Sequence, residues 1–210
     1  VTGGNVSFYN ETSENSVYPT PVIGMIGLLE NIDQNTSMYF KNAGDFIIIL
    51  GALNGYLGGS EYLRTIHDRT QGPIPHLNME LEMGVQELCL EAIKKGIIQS
   101  AHDLSDGGLA VNISESLVCS ASGLGAKLDF SRKLRNDEIL FGECQSLIVV
   151  TLEESALYEL ILLSKKLDVH TQTIGRVTDK DRLVINDIID IPRKKLEDVY
   201  FNSFNRIMAN

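Results

Sequence analysis

The run Phe46-Ile47-Ile48-Ile49-Leu50, which ends at Gly51, decides the fold. Its β-branched residues favour an extended backbone, and five residues is the length of a strand rather than of a helix. No polar residue alternates with the apolar ones, as it would in a strand with one wet face. The run therefore predicts a strand over 46–50 that is buried on both faces.

The sequence after this strand alternates helical and extended patterns. Apolar residues recur at helical spacing over 78–95, 108–121, 154–167 and 194–209. Short apolar runs predict strands at 126–130, 146–152, 172–177 and 182–185. Gly96 is expected to end the first of these helices. The alternation of strands and helices predicts an α/β or α+β fold.

The sequence around the buried strand is rich in glycine and proline. The stretch VYPTPVIGMIGLL at 17–29 predicts a strand entered through two prolines, which belong at a sheet edge because proline cannot donate to a ladder. Ser60 is expected to cap a short helix over 60–66. Gly72-Pro73-Ile74-Pro75 would break any element passing through it. We therefore predict a domain boundary that divides 1–72 from 73–210.

The composition is that of a globular, acidic chain of 210 residues. Eighteen Lys and Arg against 28 Asp and Glu give a formal charge of −10, which repels phosphate backbones, so no nucleic-acid partner is expected. No apolar run reaches the roughly 20 residues of a membrane span, and no signal-peptide pattern is present, so no membrane partner is expected either. Three scattered cysteines predict reduced thiols in a cytoplasmic protein.

The first candidate site is Gly3-Gly4-Asn5-Val6-Ser7. Adjacent glycines let backbone N–H groups approach a phosphate closely. Asn5 offers an oxygen suited to Mg²⁺, and Ser7 offers a hydroxyl that can donate to a substrate oxygen. The same residues could form only a glycine turn before a strand, and their spacing alone favours that simpler interpretation.

The second candidate site is the segment His102–Gly108, HDLSDGG, directly before a predicted helix. Helix N-termini favour anions, so Asp103 could hold Mg²⁺ against nucleotide phosphates while Ser105 bonds a phosphate oxygen. Alternatively, Ser105 or Asp106 could simply cap the helix, and both interpretations can hold together. His102 is expected to be a hydrogen-bonded structural histidine.

Two further motifs are weaker candidates. Gly58-Gly59-Ser60-Glu61 could bind an anion, but its chemistry favours a turn that leads into a helix. Glu143, which follows Phe141-Gly142, is expected to be a hydrogen-bond partner within a loop.

Five segments in this order carry a resemblance to a known family: GGNVSFYNET at 3–12, YPTPVIGMIGLLE at 18–30, LGGSEYL at 57–63, HDLSDGG at 102–108 and FGE at 141–143. Together they resemble the C-terminal portion of the small-type synthetase subunit of the phosphoribosylformylglycinamidine synthase family. The resemblance implies the end of an N-terminal synthetase-type unit over 1–72. A complete C-terminal α/β unit of the aminoimidazole ribonucleotide synthetase-like superfamily would follow over 73–210.

The resemblance also implies an activity, that of an ATP-dependent ligase of purine biosynthesis. In the family, formylglycinamide ribonucleotide is activated by ATP with Mg²⁺, and ammonia released from glutamine then displaces phosphate. By motif, Gly4 is expected to contact ATP, Asn5 to ligate Mg²⁺ and Ser7 to contact the ribonucleotide. Asp103 and Ser105 match positions that hold Mg²⁺ and nucleotide in a second, pseudo-symmetric site of larger relatives.

The family's catalytic histidine and main metal carboxylates lie upstream of the segments present here. No catalytic residue is therefore expected in this chain, which alone should be inactive. A glutaminase subunit and a small bridging subunit are the expected partners. Residues 1–72 would leave a strand edge exposed in isolation, which predicts a dimer or aggregate.

Two other functions stay open: a noncatalytic nucleotide-binding or assembly module, and another ATP-dependent synthetase of the same superfamily. Cys144 and Leu147 replace the Ser and Arg that family members often carry after FGE. The loss of a cation there weakens the case for a phosphate contact by that loop.

Overall fold

The computed structural model describes residues 1–6, 11–17, 20–121, 123–131 and 133–209. The chain divides into two compact units, Val1–Ile32 and Asp33–Asn210. The second unit begins well before Gly72 because the strand Phe46–Leu50 pairs with strands formed by later residues. The boundary between the two compact units follows Ile32. The division into domains over 1–72 and 73–210 stays a prediction.

The second unit is a mixed sheet with helices on both faces. Its described strands are β1 (Phe46–Leu50), β2 (Ser100–Asp103), β3 (Gly125–Leu128), β4 (Ile148–Leu152), β5 (Thr171–Thr178), β6 (Arg182–Ile185) and β7 (Ile189–Pro192). Its described α-helices are α1 (Glu61–His67), α2 (Met79–Lys94), α3 (Gly108–Val118), α4 (Asn136–Phe141), α5 (Leu157–Lys166) and α6 (Arg193–Met208). Short 3₁₀ helices cover Ile32–Gln34 and Glu154–Ala156. This arrangement confirms the predicted mixed α/β class.

The strands lie in the order β2-β4-β1-β5-β3-β6-β7. Neighbours are antiparallel except β3 and β6, which run parallel. β1 lies between β4 and β5, and Leu50 faces Ile148 on one side and Thr171 on the other. The chain thus places the predicted apolar strand inside the sheet, where both edges of its backbone are hydrogen-bonded.

The side chains of β1 enter two separate hydrophobic cores, one on each face of the sheet. Ile47 and Ile49 belong to the core that includes apolar residues of α3 and α4, while Ile48 and Leu50 belong to the core that includes residues of α2 and α5. All four side chains are buried, as predicted for a strand covered on both faces.

Local signals set the ends of two helices. Asn78 Oδ1 accepts from the first backbone N–H groups of α2, at 3.1 Å each. Gly96, with φ of 67°, follows the end of that helix, and its N–H donates to Ile93 O at 2.9 Å. The helix stop predicted at Gly96 is therefore confirmed, as is the start of α1 at its cap, Ser60.

The strand predicted over 17–29 is wrong for the described residues in that range, which carry no strand. Their apolar side chains are exposed, and Ile26 is 100% accessible. A strand gains its stability from a neighbouring backbone and a covered face, and the described part of this unit supplies neither to 20–29. None of the described helices is long and apolar enough to cross a membrane.

Candidate functional site

A cleft of about 810 Å³ lies in the second unit. Among the segments that line it are three that are distant in sequence: the end of β2 with the turn after it, the glycine turn before α1, and the loop after α4. The polar side chains of Asp103, Ser105 and Asp106 come from the first of these segments, and that of Glu143 from the last. The second candidate site and two weaker motifs of the sequence thus meet in one place.

The turn after β2 presents polar side chains because its one apolar residue is anchored in the core. Leu104 is buried, and its N–H donates to Leu147 O at 2.9 Å. The residues on either side of Leu104, Asp103 and Ser105, are exposed, as is Asp106. Asp103 and Ser105 are therefore available to a ligand in the cleft.

Helix α3 begins without a side-chain cap from its own N-cap residue. Its N-cap is Gly107, with φ of 83°, so the expectation that Ser105 or Asp106 caps the helix is wrong. Gly108 has φ of 71°, and a Cβ there would lie 2.7 Å from the carbonyl carbon of Phe141. Both glycines are required, since an L-residue is strained at such φ and the space at Gly108 is filled by backbone.

The side chain of Glu143, which is distant in sequence, hydrogen-bonds to the backbone at the start of α3. Its Oε1 accepts from the backbone N–H of Gly107 and from that of Glu61, at 2.8 Å in each case. The first of these N–H groups precedes α3 and the second begins α1, so one carboxylate oxygen accepts one N–H at the start of each of two helices. The predicted loop hydrogen-bond partner is confirmed, with donors that sequence reasoning did not identify.

The FGE segment packs against both of the other two lining segments. The Phe141 ring stacks on that of Tyr62 in α1, with centroids 4.9 Å apart and planes 5° from parallel. A Cβ on Gly142 would lie 2.7 Å from the Cα of Gly55, so only glycine permits this approach. Glu143 N–H donates to Tyr56 O at 2.8 Å, which fixes the start of the loop.

Another side-chain hydrogen bond joins two of the segments that line the cleft. Ser146 Oγ donates to Glu82 Oε2 at 2.6 Å, joining the segment before β4 to α2. Apolar side chains also line the cleft, those of Ile74, Pro75, Leu77 and Met79. The cleft therefore offers carboxylate and hydroxyl groups for a metal or phosphate together with apolar surface for a larger ligand.

Two polar residues near Asp103, Asn112 and His102, make hydrogen bonds that support this part of the backbone. Asn112 Nδ2 donates to Asp103 O at 2.8 Å, while Asn112 Oδ1 is buried without a partner among the described residues. His102 Nδ1 lies 3.2 Å from Ser116 Oγ, and its Nε2 lies 3.6 Å from a carboxylate oxygen of Glu115. His102 is therefore a structural histidine, as predicted. Asn112 was not identified from the sequence, and its only signal there is an amide between Leu109 and Ile113 on an apolar helix.

The donor set fits Mg²⁺ bound together with phosphates rather than a metal held by protein alone. Within the described ranges, no group of three or more His, Cys, Asp or Glu side chains could hold a metal ion. Mg²⁺ usually keeps several waters and takes one or two carboxylates plus substrate phosphates. Asp103, with the Ser105 hydroxyl two residues away, suits that mode of binding.

The first candidate site belongs to the other unit. Gly4 and Asn5 are exposed there, and a Cβ at Gly4 would meet no described atom within 4 Å. Ser7 lies outside the described residues. The roles expected for these three residues stay predictions. Cys144 and Leu147, the two departures after FGE, are buried, with Leu147 only 3% exposed.

Comparison with known proteins gives a consistent set of relatives. Residues 42–188 match the family described as AIR synthase related protein, C-terminal domain. The phosphoribosylformylglycinamidine synthase subunit PurL of Alkaliphilus metalliredigens is 39% identical over 213 aligned residues, which cover 100% of this chain and 29% of that protein. The Moorella thermoacetica PurL subunit is 44% identical over 84% of this chain and 24% of its own length.

Solved structures of Thermotoga maritima PurL share the fold. The one complexed with FGAR has a TM-score of 0.64 at 22% identity and covers 79% of this chain and 30% of that one. The one complexed with ATP has a TM-score of 0.61 at 19% identity, with 79% and 28% covered. The chain spans about a quarter of the length of the curated relatives it matches. On the family match, which extends over most of its length, this chain belongs to the AIR synthase related proteins and carries their C-terminal domain.

Proposed function

We propose that this chain is the C-terminal portion of a PurL-type subunit that, as a whole, is an ATP-dependent ligase. The whole subunit would convert formylglycinamide ribonucleotide, ammonia and ATP to formylglycinamidine ribonucleotide, ADP and phosphate in purine biosynthesis. The proposal is supported by 39% identity to a PurL subunit along the entire chain. The observation that carries it is the contact of the LGGSEYL, HDLSDGG and FGE segments around one cleft.

We propose that the cleft binds nucleotide phosphates through Mg²⁺. Asp103 would ligate the metal, and Ser105 would donate to a phosphate oxygen. Bound Mg²⁺ would supply neutralisation of the phosphate charge. Asp103 and Asp106 are exposed carboxylates in a chain of net charge −10, so a phosphate without its metal would be repelled. Nucleotide binding should therefore depend on Mg²⁺.

The reacting ATP and ribonucleotide are assigned to the first candidate site. We propose that Gly4 contacts ATP, Asn5 ligates Mg²⁺ and Ser7 contacts formylglycinamide ribonucleotide, with the catalytic groups on other parts of the subunit. A glutaminase subunit that supplies ammonia and a small bridging subunit are the proposed partners, and the cytoplasm the proposed location. Because the chain spans about a quarter of its curated relatives, we propose that alone it binds nucleotide without turnover.

Calorimetric titration of the 210-residue chain with MgADP tests the cleft assignment. We expect binding that is abolished by excess EDTA and weakened at least about tenfold by Asp103→Asn, because a metal ligand is lost. Asp129→Asn is the matched control, since Asp129 is an exposed carboxylate that does not line the cleft. Binding that survives EDTA, or equal effects of the two variants, would contradict the assignment.

Assay of the complete subunit with ammonium, ATP and the ribonucleotide tests the activity. Asn5→Ala and Ser7→Ala should each reduce turnover while the subunit stays folded by circular dichroism. Turnover unchanged in both variants would reject the assignment of the first site. A complete subunit that binds MgADP but gives no product would favour the noncatalytic module.

A further inference from the structure

The geometry points to Glu143 as a positioning residue of the cleft, a role that rests on the proposed nucleotide function. We infer that its carboxylate holds the 103–108 turn in its ligand-binding shape by accepting two backbone N–H groups, without itself binding the metal.

The two donors of Glu143 come from segments that no local interaction joins. Gly107 N–H and Glu61 N–H both lie 2.8 Å from the same oxygen, Oε1. The first N–H groups of a helix have no partner within the helix, so they need an external acceptor. Since the N-cap Gly107 has no side chain, Glu143 supplies from a distance the acceptor for the Gly107 N–H at the start of α3.

Glu143 is itself held from several sides. Its backbone N–H donates to Tyr56 O at 2.8 Å, and the preceding residue, Gly142, packs against Gly55 and beneath Gly108. Phe141 stacks on Tyr62, one residue after the second donor. The carboxylate therefore has little freedom, and a side chain one methylene shorter would not reach both N–H groups.

The position of Oε1 also decides how a phosphate can bind. A helix N-terminus ordinarily offers its N–H groups to anions. Here the Glu143 carboxylate already accepts from the N–H groups of Gly107 and Glu61, so these two are not available to a phosphate. The proposed contacts to a phosphate come from Asp103, through its metal, and from Ser105. Glu143 thus holds the turn in shape and, at the same time, keeps the Gly107 and Glu61 N–H groups from a phosphate.

The test compares Glu143→Ala, Glu143→Gln and Glu143→Asp in the 210-residue chain, with Glu159→Gln as the control for loss of one exposed surface charge. Two quantities are measured: hydrogen exchange of the Gly107 and Glu61 amides, and calorimetric affinity for MgADP. A glutamine side chain keeps an oxygen acceptor but has no charge, so it separates positioning from metal ligation.

We expect Glu143→Ala to expose both amides to exchange and to weaken MgADP about 10- to 100-fold, as loss of a supporting contact does at metal sites. Glu143→Gln should retain both properties, and Glu143→Asp should fall between. Loss of affinity in Glu143→Gln as large as in Glu143→Ala would overturn positioning in favour of a charge or metal role. Unchanged amide exchange, or unchanged affinity, in Glu143→Ala would overturn it as well.

The outcome also separates this inference from the proposed function. If the unaltered chain does not bind MgADP, the function of the cleft is wrong and the inference, which rests on it, falls with it, even if both amides lose protection in Glu143→Ala. If MgADP binds and both amides keep their protection in Glu143→Ala, only the positioning role is wrong. If the alanine variant does not fold, the glutamine and aspartate variants decide.

Discussion

Replacement of Gly108 by alanine should destabilise the protein through two separable effects. The residue has φ of 71°, where an L-residue is disfavoured by about 1–2 kcal/mol. Its new Cβ would also lie 2.7–2.8 Å from backbone atoms of Phe141 and Gly142, and such overpacking usually costs about 1–3 kcal/mol. We therefore expect Gly108→Ala to lower the free energy of unfolding by about 2–5 kcal/mol.

Two other glycines separate these effects. Gly96 has a similar φ of 67°, but a Cβ there meets no described atom within 4 Å, so Gly96→Ala should show only the backbone strain of about 1–2 kcal/mol. Gly142 has φ of −68°, but its Cβ would lie 2.3 Å from Glu138 O, so Gly142→Ala should show only overpacking, about 1–3 kcal/mol. Each variant thus isolates one part of the expected loss at Gly108.

Urea unfolding followed by far-UV circular dichroism measures all three variants, since the chain has no tryptophan for fluorescence. Gly108→Ala should be less stable than Gly96→Ala by about 1–3 kcal/mol. It should also bind MgADP more weakly, because Gly108 follows the turn that carries Asp103 and Ser105. Equal stability of Gly108→Ala and Gly96→Ala would refute the close approach of the FGE backbone.

Four further predictions concern other parts of the chain. Asn78→Ala should lower the free energy of unfolding by about 1 kcal/mol, measured in urea, because two N–H groups of α2 lose their acceptor. Burial raises the pKa of the Cys89 thiol to about 11, so at pH 8 iodoacetamide should label the partly exposed Cys119 first, as read by mass spectrometry. Burial also raises the pKa of Asp45, so the native state holds this proton more tightly than the unfolded chain does, and stability falls as pH rises through that raised pKa. Asp45→Asn should therefore gain stability relative to the unaltered protein as the pH of urea titrations rises above about 4, the ordinary pKa of an aspartate. The exposed apolar residues of 20–29 should make the isolated chain self-associate at micromolar concentration, whereas a monomer in sedimentation velocity would contradict this.

The elements that were predicted well are those whose cause is local. The apolar run of β1, the cap Ser60 and the stop at Gly96 each depend on residues within a few positions. Propensity and capping act over that range, so the sequence carries the information directly. The same reasoning correctly identified Asp103 and Ser105 as polar residues that precede a helix.

Elements with a distant cause were missed or misassigned. The short edge strands β2 and β7 were not predicted. Each has only four residues, β2 with three polar ones and β7 with a proline, and each depends on a neighbouring strand, β4 or β6, for its pairing. At 17–29 the reverse holds: a strand was predicted from an apolar run, but the described residues of that run form no strand. An apolar run predicts burial only if the chain provides a surface to cover it.

The start of α3, at the cleft, is a further case in which a distant contact overrides a local sequence pattern. Ser105 and Asp106 have the chemistry of N-caps, yet the cap position belongs to Gly107, whose N–H donates to a carboxylate 36 residues later in the chain. With Gly107 at the cap position, Ser105 and Asp106 instead lie exposed at the cleft. A polar residue before a helix is free to bind a ligand only when something else satisfies the helix start. The contact from Glu143 to Gly107 is therefore part of what makes the HDLSDGG segment a candidate nucleotide site and not only the start of a helix.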